Sequence, residues 1–204
     1  MHIRLRGIVF SALFAALLAV FSFIRVPLPF TPVPITLENL AVILAGALLG
    51  PLYGFLSMLL VVILTAAGLP MLDGQGGISI LVGPTGGYIW MWPICALLAG
   101  YFVRRVKGNG VRAFILIFLS CYVFGDLISY LTAIPWLKHT VPVLKTWQSA
   151  LDAGAYPYLL GDALKALVTT IIVLPVRRVF PVSRIIGGPS AVFASSSDVS
   201  QEAR

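Results

Sequence analysis

Long apolar runs alternate along the chain with short stretches rich in proline, glycine or basic residues. A spanning helix needs about 20 mostly apolar residues. The candidate spans fall at about 5–24, 36–49, 51–67, 87–103, 113–131 and 158–176. The first follows His2, Arg4 and Arg6, a start that also suits a signal peptide. Its apolar run is nearer a full span than a signal core, and Arg25-Val26-Pro27 offers no small-residue cleavage site, so a retained helix is expected. Thr36 is the predicted N-cap of the second helix. Only Gly50-Pro51 separates the second helix from the third, which predicts a tight antiparallel pair.

The connections are equally patterned. Pro27 to Pro34 holds four prolines in eight residues and is predicted to be a stiff extended loop, because proline removes a donor and restricts its predecessor. Gly68 to Gly87 contains seven glycines and two prolines. Unpaired backbone groups are costly in lipid, so this stretch is expected at the surface or lining a cavity. Pro135 to Pro157 mixes Trp136, Lys138, His139, Lys145 and Trp147, which suits an interfacial segment. Residues 1–180 thus form one membrane domain, and the Ser-rich stretch 181–204 reads as a disordered polar tail.

Composition sharpens the class. Hydrophobic residues make up 59% of the chain and charged residues 10%, against about 25% charged in soluble domains. That is too little charge to cover a water-soluble surface, so a soluble enzyme or binding module is excluded. The net charge of +7 would fit a nucleic-acid partner if taken alone. The basic residues flank apolar runs instead, as a membrane topology signal does, so no nucleic acid is expected. Arg4, Arg6, Arg104, Arg105, Lys107, Arg112, Arg177, Arg178, Arg184 and Arg204 fall on one side, and Arg25, Lys138 and Lys145 on the other. The expectation is an all-α integral membrane protein of six transmembrane helices with cytoplasmic N and C termini and irregular outer loops that form a ligand pocket.

A few residues call for chemistry. Ionisable groups within a span are costly and mark function by default. Asp162 and Lys165 are three apart and share one face of the sixth helix near its outer end. They are either a structural ion pair or a site in which the lysine meets an anionic group and the aspartate accepts ligand N–H bonds. Asp126 lines the same cavity or bonds a neighbouring helix, and Glu38 lines the pocket or complements its helix dipole. Tyr88, Trp90 and Trp92 are an aromatic belt or walls of the pocket. Ala12, Ala15, Ala16 and Ala19 set a small-residue pattern that allows close helix approach. Cys95 and Cys121 stand apart from any CxxC or His pattern, His139 is a loop residue, and neither a Walker A loop nor an HExxH or nucleophile elbow occurs. No catalytic set, metal site or cofactor is expected, and an energised process needs a partner.

The elements Pro32-Val33-Pro34-Ile35-Thr36-Leu37, Leu44-Ala45-Gly46, Leu49-Gly50-Pro51, Gly83-Pro84-Thr85-Gly86-Gly87-Tyr88 and Gly161-Asp162-x-x-Lys165 resemble the BioY family in order and spacing. That family comprises the biotin-binding S components of energy-coupling factor (ECF) transporters. The resemblance implies a multi-pass protein of the cytoplasmic membrane that binds biotin from outside with Thr36, Gly74, Gln75, Gly76, Gly77, Thr85, Gly86, Tyr88, Asp162 and Lys165. It implies that Ala12, Ala16 and Ala19 dock on a transmembrane coupling subunit that carries two cytoplasmic ATPases. Glu38 departs from the glutamine more usual in the family, and Trp90-Met91-Trp92 is bulkier than expected. The ligand carboxylate is assigned to Lys165, since a desolvated ammonium needs a negative partner. The competing reading is a solitary ion-coupled carrier for biotin or another anionic vitamin, working through Asp126, Asp162 and Lys165.

Overall fold

The structure, a computed structural model, describes residues 5–179. The predicted tail 181–204 lies outside the described residues, as do Arg4, Arg184 and Arg204 of the basic count. The architecture is a helical bundle: α1 (Leu5–Ser22), a two-stranded hairpin β1 (Arg25–Val26) and β2 (Ile35–Thr36), α2 (Glu38–Ala66), α3 (Ile78–Val82), α4 (Gly86–Ile89), α5 (Trp92–Arg105), α6 (Val111–Ser120), α7 (Tyr130–Thr140), α8 (Trp147–Gly154) and α9 (Leu159–Val179). Among the described residues, five helical stretches are long and apolar enough to cross a membrane: Leu5–Ser22, Glu38–Ala66, Gly86–Arg105, Val111–Thr140 and Leu159–Val179.

The longest, α2, is folded back on itself. Gly50 has φ +80 and ψ −179 inside the helix, and Pro51 follows it. Glycine adopts that conformation without a Cβ penalty, and proline suits the first turn of the helix that restarts. A Cβ placed on Gly54 would lie 2.7 Å from Gly46 Cα, whereas eight residues of straight helix span about 12 Å. The two arms, 38–49 and 51–66, therefore run back to back and correspond to the predicted second and third spans. α5 closes on them: a Cβ on Gly46 would meet Ala96 O at 2.3 Å, and one on Gly100 would meet Gly46 O at 2.5 Å. Helix α1 buries Gly7, Ser11, Ala15, Leu18 and Ser22 against this core, with the Ser11 hydroxyl donating to Tyr53 O and the Ser57 hydroxyl to Ser11 O.

Four boundaries differ from the sequence expectation. Thr36 is not the N-cap of α2: it pairs with Arg25 in the hairpin, Leu37 holds the cap position, and the Thr36 hydroxyl donates to Glu38 Oε2. The predicted fourth helix is interrupted at Trp90-Met91, with Pro93 opening α5. The fifth does not stop at 131. It continues from α6 through a π-helical turn, Cys121–Asp126, and a 3-10 turn, Leu127–Ser129, into α7, so much of the expected interfacial segment is helix. Ala133, Ile134 and Leu137 supply α7 with a buried face that outweighs the missing donor of Pro135. α9 likewise runs through Pro175 to Val179, where the Arg177 and Arg178 guanidiniums hold the carbonyls of Val106, Gly108 and Asn109 in the α5–α6 turn.

Candidate functional site

A cavity of about 250 Å³ opens at the end of the bundle where the Pro-rich and Gly-rich loops meet. Its floor comes from α9 and α7. Asp162 and Lys165, three residues apart, turn inward with side chains 2% and 10% exposed, and Nζ lies 3.1 Å from Asp162 Oδ1. Tyr130 donates its hydroxyl to the other oxygen, Asp162 Oδ2. Both aspartate oxygens are thus engaged, and the negative partner that the sequence reading sought for Lys165 in a ligand is already present as Asp162. Glu38 and Asn39, at the start of α2, complete the polar floor.

Aromatic rings form the walls. Tyr88 and Tyr130 meet edge to face, centroids 6.1 Å apart, and Tyr158 and Trp92 also line the space. The Tyr88 hydroxyl donates to Gly154 O at the end of α8 and the Tyr158 hydroxyl to Val33 O in the Pro-rich loop, so both rings are held in place. Trp92 Nε1 is buried and finds no acceptor among the described residues. The Gly83-to-Tyr88 turn is pinned from α7 by Trp136, whose Nε1 donates to Gly83 O at 2.8 Å, and by Thr132, whose hydroxyl donates to Gly87 O. At the mouth, Arg25 of β1 pairs with Asp73 of the Gly-rich loop at 2.5 Å.

The ten predicted pocket residues divide. Thr36, Gln75, Thr85, Tyr88, Asp162 and Lys165 line the cavity. Gly74, Gly76, Gly77 and Gly86 do not; they shape the loops. Gly74 and Gly77 have φ of +70 and +99, and a Cβ on Gly76 or Gly86 would come within 2.1 Å of Leu69 O or Leu81 O respectively. Arg25, Asn39, Asp73, Tyr130 and Tyr158 line the cavity without having been foreseen. The first three had no visible signal; Tyr130 stood in a span whose helical phase was unassigned, and Tyr158, four residues before Asp162, could have been found from the face that Asp162 and Lys165 mark. Asp126, aimed inward by the π-helical turn, is fully buried behind the floor, where Asn39 approaches it without making a full hydrogen bond. On α1, Ala12 and Ala16 are exposed, Ala19 is half-buried, and Ala15 packs inward.

The apolar bundle with an irregular-loop pocket and an ionised floor defines an integral membrane protein built to hold a small polar-headed ligand at one end. The sequence profile described as the BioY family matches residues 1–182. A probable biotin transporter BioY of Pyrococcus horikoshii is 40% identical over 162 residues, covering 79% of this chain and 90% of its own. A biotin transporter BioY of Rhodobacter capsulatus is 36% identical over 184 residues, covering 86% and 95%. A solved structure described as the S-component for biotin from an ECF-type ABC transporter superposes with a TM-score of 0.73 at 31% identity, covering 84% of this chain and 90% of that one. The chain belongs to the BioY family.

Proposed function

We propose that the chain is the substrate-binding component of a biotin uptake system, a transport protein and not an enzyme. The carrying observation is the buried Lys165–Asp162–Tyr130 set at the floor of the cavity. Biotin has a ureido group with two N–H donors and a carbonyl, an apolar thiophane ring, and one carboxylate. Asp162 accepts from one ureido N–H, Lys165 donates to the ureido carbonyl, and Tyr88, Tyr130, Trp92 and Tyr158 enclose the ring. The carboxylate points to the mouth rather than to Lys165, because that ammonium is already paired with Asp162.

In this reading the chain sits in the cytoplasmic membrane with both termini inside and the pocket outside, as the basic residues direct. Ala12 and Ala16, on the exposed face of α1, and Ala19 dock on an ECF transmembrane coupling subunit, and ATP hydrolysis by two attached cytoplasmic ATPases energises uptake. The test is equilibrium binding of biotin to the purified chain in detergent, with thiamine and riboflavin as controls. Tight, selective binding is expected; a folded sample that ignores biotin overturns the proposal. Asp126, buried without a full hydrogen bond, is the one observation that favours an ion-coupled carrier instead. Uptake that survives ATP depletion but collapses with the membrane potential would establish that alternative.

A further inference from the structure

Among the described residues two cations line the cavity, Arg25 and Lys165, and of these Arg25 is the one free to change partners. Lys165 is bound into a buried pair whose breakage strands a charge. Arg25 is different. Its side chain is 48% exposed, its Nη1 meets Asp73 Oδ2, and a half-exposed ion pair of this kind contributes little and is screened by salt. Each partner also has its own scaffold. Arg25 is held by its backbone pairing with Thr36. Asp73 is held in a left-handed turn, φ +52, with its N–H donating to Ser22 Oγ at 2.7 Å and with Leu72 and Gln75 bridged on either side. Exchange of partners therefore requires only side-chain motion, and the planar guanidinium fork suits any carboxylate.

Resting on the biotin reading, we propose that Arg25 is the specificity-determining residue for the ligand carboxylate and that Asp73 is its placeholder, displaced from the guanidinium when the ligand's carboxylate arrives. In the empty site Asp73 keeps the arginine oriented and cancels its charge, so an arbitrary anion gains nothing at the mouth. A ligand seated on the floor brings its carboxylate to the same guanidinium at high effective concentration and outcompetes Asp73. A neutral ligand with the same rings leaves the Arg25–Asp73 pair intact and forgoes that contact.

The experiment measures Kd for biotin and for biotinamide, its neutral carboxamide, on the purified full chain and on R25Q and D73N. The readout is the affinity ratio of the two ligands, which cancels any loosening of the mouth common to both. The wild-type chain is expected to prefer biotin by about tenfold or more, as loss of a charge-assisted contact implies. R25Q is expected to bring the ratio below about twofold, and D73N, freed of the competing carboxylate, to raise it at least about threefold. R25K, which keeps the charge and loses the fork, falls between. An R25Q ratio equal to wild type overturns the proposal, as does a D73N ratio that falls with R25Q's, which would make the pair a fixed strut. A wild-type chain that binds neither ligand overturns the biotin reading as well, whereas tight biotin binding with an unchanged R25Q ratio overturns the exchange alone.

Discussion

Replacing Lys165 by methionine keeps most of the side-chain stem and removes the ammonium. In the proposed complex that ammonium makes a charge-assisted hydrogen bond to the ureido carbonyl, worth about 1.5–3 kcal/mol. At about 1.4 kcal/mol per decade, biotin affinity should fall roughly 12- to 140-fold. The same change leaves Asp162, 2% exposed, with Tyr130 alone. Breaking a buried pair costs about 3–5 kcal/mol, so the variant should also melt earlier. The double variant K165M/D162N removes the stranded charge and separates the two effects. Calorimetric titration with biotin, alongside thermal unfolding of the same detergent sample, should find the double variant recovering stability but not affinity. Affinity in K165M within about twofold of wild type, or full recovery of affinity in the double variant, would refute a ligand contact and leave Lys165 as a structural ion pair.

Two further outcomes follow from the packing. Ala16→Leu, on the exposed face of α1, should leave biotin binding intact and abolish ATP-dependent uptake in cells that carry the partner subunits; lost binding would show that this face belongs to the fold. Gly100→Ala drives a Cβ to within 2.5–2.8 Å of the backbone of Gly46, Gly50 and Pro51 and should lower stability by about 1–3 kcal/mol, whereas Gly161→Ala, with nothing within 4 Å, should be neutral or stabilising in thermal melts.

The spans were legible because each is an apolar run closed by glycine, proline or arginine, and the α2 fold-back was legible because Gly50-Pro51 is a helix stop followed at once by a helix start. The far end of the fifth span was not. Pro135, Lys138 and His139 look like an ending, while the burial that sustains α7 comes from Tyr88 and Val33, distant in sequence. The π-helical turn that aims Asp126 inward has no local signature either. In the site, Asp162 and Lys165 betrayed themselves as charges in an apolar helix. Arg25 and Asp73 are ordinary loop charges, 48 positions apart, that only the crossing of two loops brings together. The loop glycines were conspicuous, and what the fold asks of Gly76 and Gly86 is the absence of a Cβ.

The backbone contacts among Gly46, Gly54 and Gly100 gather near the Gly50 turn, at the end of the bundle away from the cavity mouth. Below Lys165 the interior is filled by Ile43, Ala47, Val103, Ile117, Ala166 and Val173. Backbone packed directly on backbone leaves no side chain to swing aside, so no passage can form there by rotamer change alone. Among the described residues the base of the cavity is closed by packed backbone, and its mouth lies between the Pro-rich and Gly-rich loops. If biotin enters between the loops, as proposed, this base offers it no second exit by rotamer change, and its release on the other face of a membrane requires the mouth itself to be brought round.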